Sequence, residues 1–198
     1  MITFKKLSND KPFKIFKEKY DFAESKNQKN IEAVCISSFS KIKNEVNSRF
    51  VNLKFIENDE FIFFSNYESP KSYEFNDHNQ ISAIIFWNSI NAQIRMKAKI
   101  RKQPIKRDRE SFSKRSTEKN ALAISSKQSR EIASYEKVKE NYFSVLETQN
   151  LKKCPEYWGG FGFIPFEIEF WEGHDFRLNK REKYTLTKDI WKKTILEP

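Results

Sequence analysis

The chain has 198 residues, 38 % of them hydrophobic and 32 % charged, and its 37 Lys+Arg against 27 Asp+Glu give a net charge of +10. That length suits one ordinary domain, no run approaches the roughly 20 apolar residues a bilayer-spanning helix needs, and 19 phenylalanines supply core volume that argues against long disorder. The charge favours an anionic partner, whether nucleic acid, membrane surface or phosphorylated small molecule, although a lysine-rich composition throughout accounts for it equally well.

The opening MITFKKLSND has no apolar run and no small-residue cleavage site, so a secretory signal is not expected and residues 1–10 read as a flexible arm. Phe13, Phe16 and Tyr20, spaced by three and four, predict a helix over 11–26. Residues 31–38 form a compact apolar strand in which Cys35 reads as a buried core thiol. Strands follow at 48–55 and 60–65 around the turn Glu57-Asn58-Asp59. Ser69 is placed to cap a short helix ending near Phe75. Residues 81–87 and 93–102 read as strands, paired antiparallel with the others through short turns.

The next section is charged and helical in pattern at 106–115 and 135–149, with another short helix expected between them. Residues 162–171 are strand-like, with Phe166, Ile168 and Phe170 on one face and Glu167, Glu169 and Trp171 on the other. Residues 176–184 and a strand near Trp191 close the chain. The sum is an α+β domain, mainly β: an antiparallel sheet or barrel with helices inserted between strands.

The rare residues exclude several chemistries. All four glycines lie late, at 159, 160, 162 and 173, so the first 158 residues hold no glycine-rich phosphate loop and no dinucleotide fingerprint. A phosphate must then be held by side chains and ordinary backbone amides. Cys35 and Cys154 sit in unrelated contexts without a CxxC pair, which argues against structural zinc; two unpaired thiols of a cytosolic protein are simpler than a disulfide. His78 and His174 lie in polar turns without partners at metal-ligand spacing, so no metal is expected, and no GxSxG supports a serine nucleophile.

Three clusters of cations stand out. Arg49 and Lys54 flank an apolar strand core with opposite parity, so one ligand meets both only at a bulge or a strand end, and pattern alone favours two ordinary edge charges. Ser111, Arg115 and Lys119, four apart, form one polar stripe if the helix runs that far; a solvated helix face is the commoner outcome. In an extended segment Arg177, Asn179 and Arg181 share a face, a planar-anion or carbonyl site with Trp171 just upstream as a stacking wall.

The wording of the sequence adds a resemblance. Trp158-Gly159-Gly160-Phe161-Gly162-Phe163, then Ile168-Glu169-Phe170-Trp171-Glu172-Gly173, Arg177-Leu178-Asn179-Lys180-Arg181 and the terminal Trp191 to Pro198 resemble the C-terminal signature of the pyridoxamine 5′-phosphate oxidase family. Upstream, Arg49 to Lys54 resembles its R-x-V-x-L-K strand, and Phe64-Ser65-Asn66 with Ser69-Pro70-Lys71 its F-Y-T-N-x-x-S-x-K segment. Gln93 sits in its R-Q-V-like position, and Ser126-Lys127-Gln128-Ser129 resembles its S-x-Q-S turn. The match runs from about residue 11 to the end, in family order.

The resemblance implies an FMN-binding split β-barrel over residues 1–198, a cytoplasmic homodimer with FMN at the subunit interface and residues 158–198 as the dimerisation and substrate region. By matching positions, FMN contacts are Arg49, Phe50, Val51, Asn52, Leu53, Lys54, Phe64, Ser65, Lys71, Gln93, Gln128, Ser129, Trp171 and Arg181. Arg49 and Lys71 would neutralise the FMN phosphate, and Gln93 would meet the polar edge of the flavin. Substrate contacts are Lys54, Ser111, Arg115, Lys119, Arg177 and Asn179, the last two in the catalytic position. The implied reaction oxidises pyridoxamine or pyridoxine 5′-phosphate to pyridoxal 5′-phosphate, with O₂ reduced to H₂O₂.

The chain departs from the family pattern at several of these positions. Ser111 stands where the family usually has Tyr, Lys119 where it has Ser, Arg177-Leu178-Asn179 where it has R-x-H, and Pro70 where Arg is frequent. The N-terminal basic arm of some members is short or absent. Without the His, a weaker pH dependence near pH 6–7 is expected. These changes keep open a phenazine-type FMN oxidoreductase acting on another ring compound. A basic nucleic-acid-binding module is the reading from a different class, but the cations are scattered and no nucleic-acid motif appears.

Overall fold

A computed structural model describes residues 1–198. Helix α1 (Lys11–Ser25) starts with Pro12 in its first turn, where the missing N–H costs nothing, and buries Phe13, Phe16, Tyr20 and Ala23 on one face. Phe16 lies 5.1 Å from Phe61 and 5.5 Å from Trp87, both edge-on, and Phe13 meets Trp191 at 5.9 Å. Each such ring contributes about 2–3 kcal/mol when fully buried. The helix thus seals one side of an aromatic core.

The core sits inside a nine-stranded sheet. Strands β2 (Ala33–Ser40), β3 (Glu45–Glu57), β4 (Glu60–Asn66), β5 (Gln80–Trp87), β6 (Ala92–Lys102) and β7 (Trp158–Glu172) are connected as β2-β3-β4-β7-β6-β5, and β5 returns to β2. Every one of these pairings is antiparallel, and the ring they close is the expected split barrel. Strand β7 is shared: Trp158–Phe163 pairs with β4, and Glu167–Glu172 pairs with β8 (Lys180–Thr187), which continues to β9 (Ile190–Leu196). A bulge at Phe166 separates the two halves; Phe166 is only half-buried, whereas Ile168 and Phe170 face the core.

Several expectations need correction. Residues 1–10 carry β1 (Thr3–Lys5), parallel to the end of β3, and Ile2 is buried with its N–H donated to the Tyr20 hydroxyl, so this segment is tied down. Strand β2 begins at Ala33 rather than at residue 31, and its inward side chains are Val34 and Ile36; Cys35 has the opposite parity and is half-buried on the outer face beside Phe50 and Ile84. Ser69 precedes α2 (Pro70–Asp77), but its hydroxyl donates to the Asn66 carbonyl and caps no helical N–H. The strand expected from Phe176 starts only at Lys180. Phe176 and Arg177 stand at φ 54° and 61° in a 3₁₀ turn over Asp175–Arg177, so Arg177 does not share an extended face with Arg181.

Between β6 and β7 lie α3 (Ile105–Ser113), α4 (Thr117–Ser125) and α5 (Tyr135–Thr148), the last two capped by Ser116 and Ser134. Asn27, Asn30, Asn44, Asn58 and Asn91 take positive φ in the turns, and no glycine does. No helix is long and apolar enough to cross a membrane.

Candidate active site

From Glu45 to Asn52, β3 has only β2 as a ladder partner; β4 joins at Leu53 and β1 at Phe55. A cleft of about 940 Å³ opens along that free edge. Arg49, Phe50, Val51 and Asn52 all line it, which consecutive residues of alternating parity do at a strand edge and not on a face. Pairing with β4 then slips by one residue at Lys54, because Leu53 faces Phe63 while Phe55 faces Ile62. The bulge brings Lys54 to the same cleft as Arg49, against the reading of two unrelated edge charges.

One end of the cleft is built for an anion. Lys71, in the first turn of α2, is 6 % exposed, and its ammonium pKa is pushed down to about 8, by burial first and then by the Arg49 guanidinium. Arg49 Nη2 donates to Glu74 at 2.9 Å, and its Nη1 donates to Ser38. Glu74 also accepts from Asn47 at 3.0 Å and from the Ser38 hydroxyl. Two cations against one carboxylate leave one positive charge at this end.

The other end is aromatic and cationic. Phe64 and Trp158 stack at 4.9 Å with rings 3° apart, and the Arg115 guanidinium lies over Trp158 at 4.7 Å. Arg115 Nη2 donates to the Lys119 carbonyl at 3.0 Å, whereas Nη1 is buried without a partner, and burial lowers the guanidinium pKa. The helix expected to carry Ser111, Arg115 and Lys119 breaks after Ser113 and restarts at Thr117, yet all three side chains line the cleft. Their stripe is a lining, not a solvated face.

A buried clamp positions this end. Tyr67 donates its hydroxyl to Asp108 at 2.8 Å, and Asp108 accepts the Gly160 N–H at 2.8 Å, so α3 is pinned to β7. Burial raises the Asp108 pKa, opposed by those two hydrogen bonds and by Arg107. A Cβ on Gly159 would stand 2.2 Å from the Tyr67 oxygen and 2.3 Å from Asp108 Oδ2, so the clamp requires glycine there. Gln128 fixes the remaining wall: its side-chain oxygen accepts from the Ser65 hydroxyl at 3.2 Å and from the Asn66 N–H at 3.3 Å, with Ser129 at φ 65° beside it.

Of the expected FMN residues, Arg49, Phe50, Val51, Asn52, Lys54, Phe64, Ser65, Lys71, Gln128 and Ser129 line the cleft. Leu53 does not: it is wholly buried and points into the core. Gln93, Trp171 and Arg181 lie elsewhere, in one register row across β6, β7 and β8 on the outer face, next to Phe86 of β5. Arg181 is held by Glu169 at 2.9 Å and donates to the Glu197 carbonyl at 2.9 Å. Arg177 is exposed on the 3₁₀ turn, and Asn179 accepts the His174 N–H at 3.2 Å. The expected contacts therefore fall into two groups that do not share one cleft within a single chain.

Residue patterns missed Lys5, Arg107, Lys114 and Trp158 in the cleft lining. Trp158 carried a signal, the aromatic preceding two glycines. Lys5 carried none, because β1 has three residues and no alternation to read.

A family model described as the pyridoxine 5′-phosphate oxidase C-terminal dimerisation region matches residues 158–198. The pyridoxine/pyridoxamine 5′-phosphate oxidase of Colwellia psychrerythraea is 31 % identical over 193 residues, 96 % of this chain and 88 % of that protein. The enzyme of the same name from a Ruegeria species is 36 % identical over 155 residues, 77 % of each chain. Among solved structures, PhzG from Burkholderia lata, in complex with tetrahydrophenazine-1-carboxylic acid, superposes with a TM-score of 0.89 at 22 % identity, covering 95 % of this chain and 93 % of that one. A pyridoxamine 5′-phosphate oxidase-related, FMN-binding protein from Nostoc punctiforme superposes with a TM-score of 0.77 at 9 % identity, covering 92 % and 97 %.

Proposed function

The chain belongs to the pyridoxine/pyridoxamine 5′-phosphate oxidase family, and we propose that it is an FMN-dependent oxidase converting pyridoxamine or pyridoxine 5′-phosphate to pyridoxal 5′-phosphate with O₂ reduced to H₂O₂. The observation that carries this reading is Lys71, buried beside Arg49 without enough negative charge to balance the pair. A phosphate is the group that pair fits, and a cleft of about 940 Å³ is ample for a flavin with a small ring compound. FMN, when bound, supplies the acceptor for the hydride equivalent that leaves the substrate and returns the electrons to O₂.

The residues of the chain then bind and orient. Arg49 and Lys71 hold the cofactor phosphate by charge-assisted hydrogen bonds. The free edge at residues 49–52 offers backbone donors and acceptors to the flavin, and Gln128, its oxygen already engaged, has its amide N–H groups left to donate. Lys54, Ser111, Arg115 and Lys119 take the substrate phosphate, with the unpartnered Arg115 Nη1 as its most desolvated donor. Gln93, Trp171 and Arg181, whose row faces outward beside the half-exposed Phe86, complete the site from a second copy of the chain together with Arg177 and Asn179 of the segment leading into β8. The match of residues 158–198 to a dimerisation region supports that homodimer.

A second reading, an oxidase of a larger ring compound, is favoured by a recess of about 250 Å³ next to the cleft, lined by Leu122, Ala123 and Trp158. The deciding measurement is the visible spectrum of FMN-loaded protein under anaerobic conditions. Pyridoxamine 5′-phosphate is expected to bleach the flavin band, and air to restore it with pyridoxal 5′-phosphate formed. A band unbleached by either B6 phosphate would favour the second reading, and failure to bind FMN would overturn both.

A further inference from the structure

Glu74 lies three residues after Lys71 in α2 and is 6 % exposed. Its carboxylate gathers three donors from the β2–β3 ladder: Arg49 Nη2 at 2.9 Å, Asn47 Nδ2 at 3.0 Å and the Ser38 hydroxyl. Ser38 and Asn47 are register partners, and Arg49 is two residues along the same face. Glu74 does not line the cleft, whereas Arg49 and Lys71 do, so the carboxylate stands behind the two cations and blocks neither.

A neutral side chain would serve a purely structural job here. A glutamine oxygen accepts from Ser38 and Asn47 without the desolvation that a buried carboxylate carries. What the carboxylate adds is charge, and the charges it faces are Arg49, by contact, and Lys71 along its own helix. Without it, two cations at a buried cleft end repel each other and Arg49 lacks its strongest anchor.

We propose that Glu74 is a built-in counter-anion of the cofactor-phosphate pocket, holding Arg49 in place before FMN arrives and setting phosphate affinity by cancelling one of the two positive charges. This rests on the reading of the cleft as an FMN site. The arriving phosphate meets a pre-positioned guanidinium, so less side-chain freedom is lost on binding. It also meets one net positive charge instead of two, so binding is weaker than the cations alone would give.

The test compares FMN with riboflavin, which lacks the phosphate, by quenching of flavin fluorescence, together with melting of the cofactor-free protein. In Glu74→Gln the preference for FMN over riboflavin is expected to rise about tenfold, the scale of one unit charge a few ångströms away at intermediate dielectric. The melting temperature of the cofactor-free variant is expected to fall. Glu74→Asp keeps the charge but shortens its reach; its preference should stay within about twofold of wild type while its melting temperature also falls. A preference unchanged or reduced in Glu74→Gln, or raised equally in Glu74→Asp, would overturn the proposal alone. A wild-type protein that binds FMN no better than riboflavin would overturn the phosphate pocket and the proposal with it.

Discussion

Lys71 carries its charge against the preference of the fold. Its ammonium titrates at about 8 instead of 10.5 because burial and Arg49 disfavour the proton. The folded state therefore binds the proton less well than the unfolded chain. The penalty is complete below pH 8 and disappears as pH rises toward 10.5, so this group makes the cofactor-free protein more stable across that window. Lys71→Met is expected to stabilise the cofactor-free protein at pH 7 by about 2 kcal/mol in denaturant melts while removing the preference for FMN over riboflavin. Because a bound phosphate keeps Lys71 protonated, FMN affinity in wild type should fall toward tenfold per pH unit above about 8, which titrations from pH 7 to 10 would show. Arg49 and Lys71 were legible through the resemblance of their segments to family motifs. Glu74 was not, because nothing in Ser72-Tyr73-Glu74 distinguishes a buried carboxylate from a solvated one.

The elements show where pattern reading works and where it stops. A turn beside a strand-like run placed β4, an apolar and β-branched run placed β5, and alternation placed β6, each to within a residue or so. Alternation gave Arg49 and Lys54 opposite faces, and one bulge residue reversed that outcome. It extended a strand over Phe176 and Arg177, because neither residue type announces a left-handed backbone as Gly or Asn does. The Tyr67–Asp108 clamp was likewise invisible, since its partners come from three separate segments and meet only over Gly159. Gly159→Ala is expected to force that clamp apart and destabilise the protein by about 3 kcal/mol, the upper end for overpacking. Steady-state kinetics should show the KM for the B6 phosphate rising more than the FMN dissociation constant. Ser111 and Arg115 flank the break after α3, whereas Arg49 and Lys71 stand on β3 and α2.

At the scale of the whole molecule the site is divided. The cleft runs along β3, and the row from Gln93 to Arg181 lies outside it, so on the proposed reading a complete site takes the cleft of one copy and the row of another. Arg49→Ala and Arg177→Ala should each be inactive alone. Co-expressed, they form mixed dimers in about half of the assemblies, each with one unaltered site, so about a quarter of wild-type activity per chain should return. No recovery in a verified mixed dimer would mean that each chain builds its site alone. The glycines bear on the same division in another way. Of the eleven residues with a left-handed backbone five are asparagine and none is glycine, and a Cβ on any of the four glycines would come within 3 Å of a neighbouring side chain. Three of them fall within four residues of β7, where that strand passes between the clamp, the stacked aromatics and the barrel. A chain so built separates its tolerances: its asparagine turns are open to drift toward glycine, while the short stretch from Gly159 to Gly162 takes a side chain at a glycine only if its neighbours move. Sequence variation among close relatives would then thin out at that stretch first, for steric reasons that precede any chemistry.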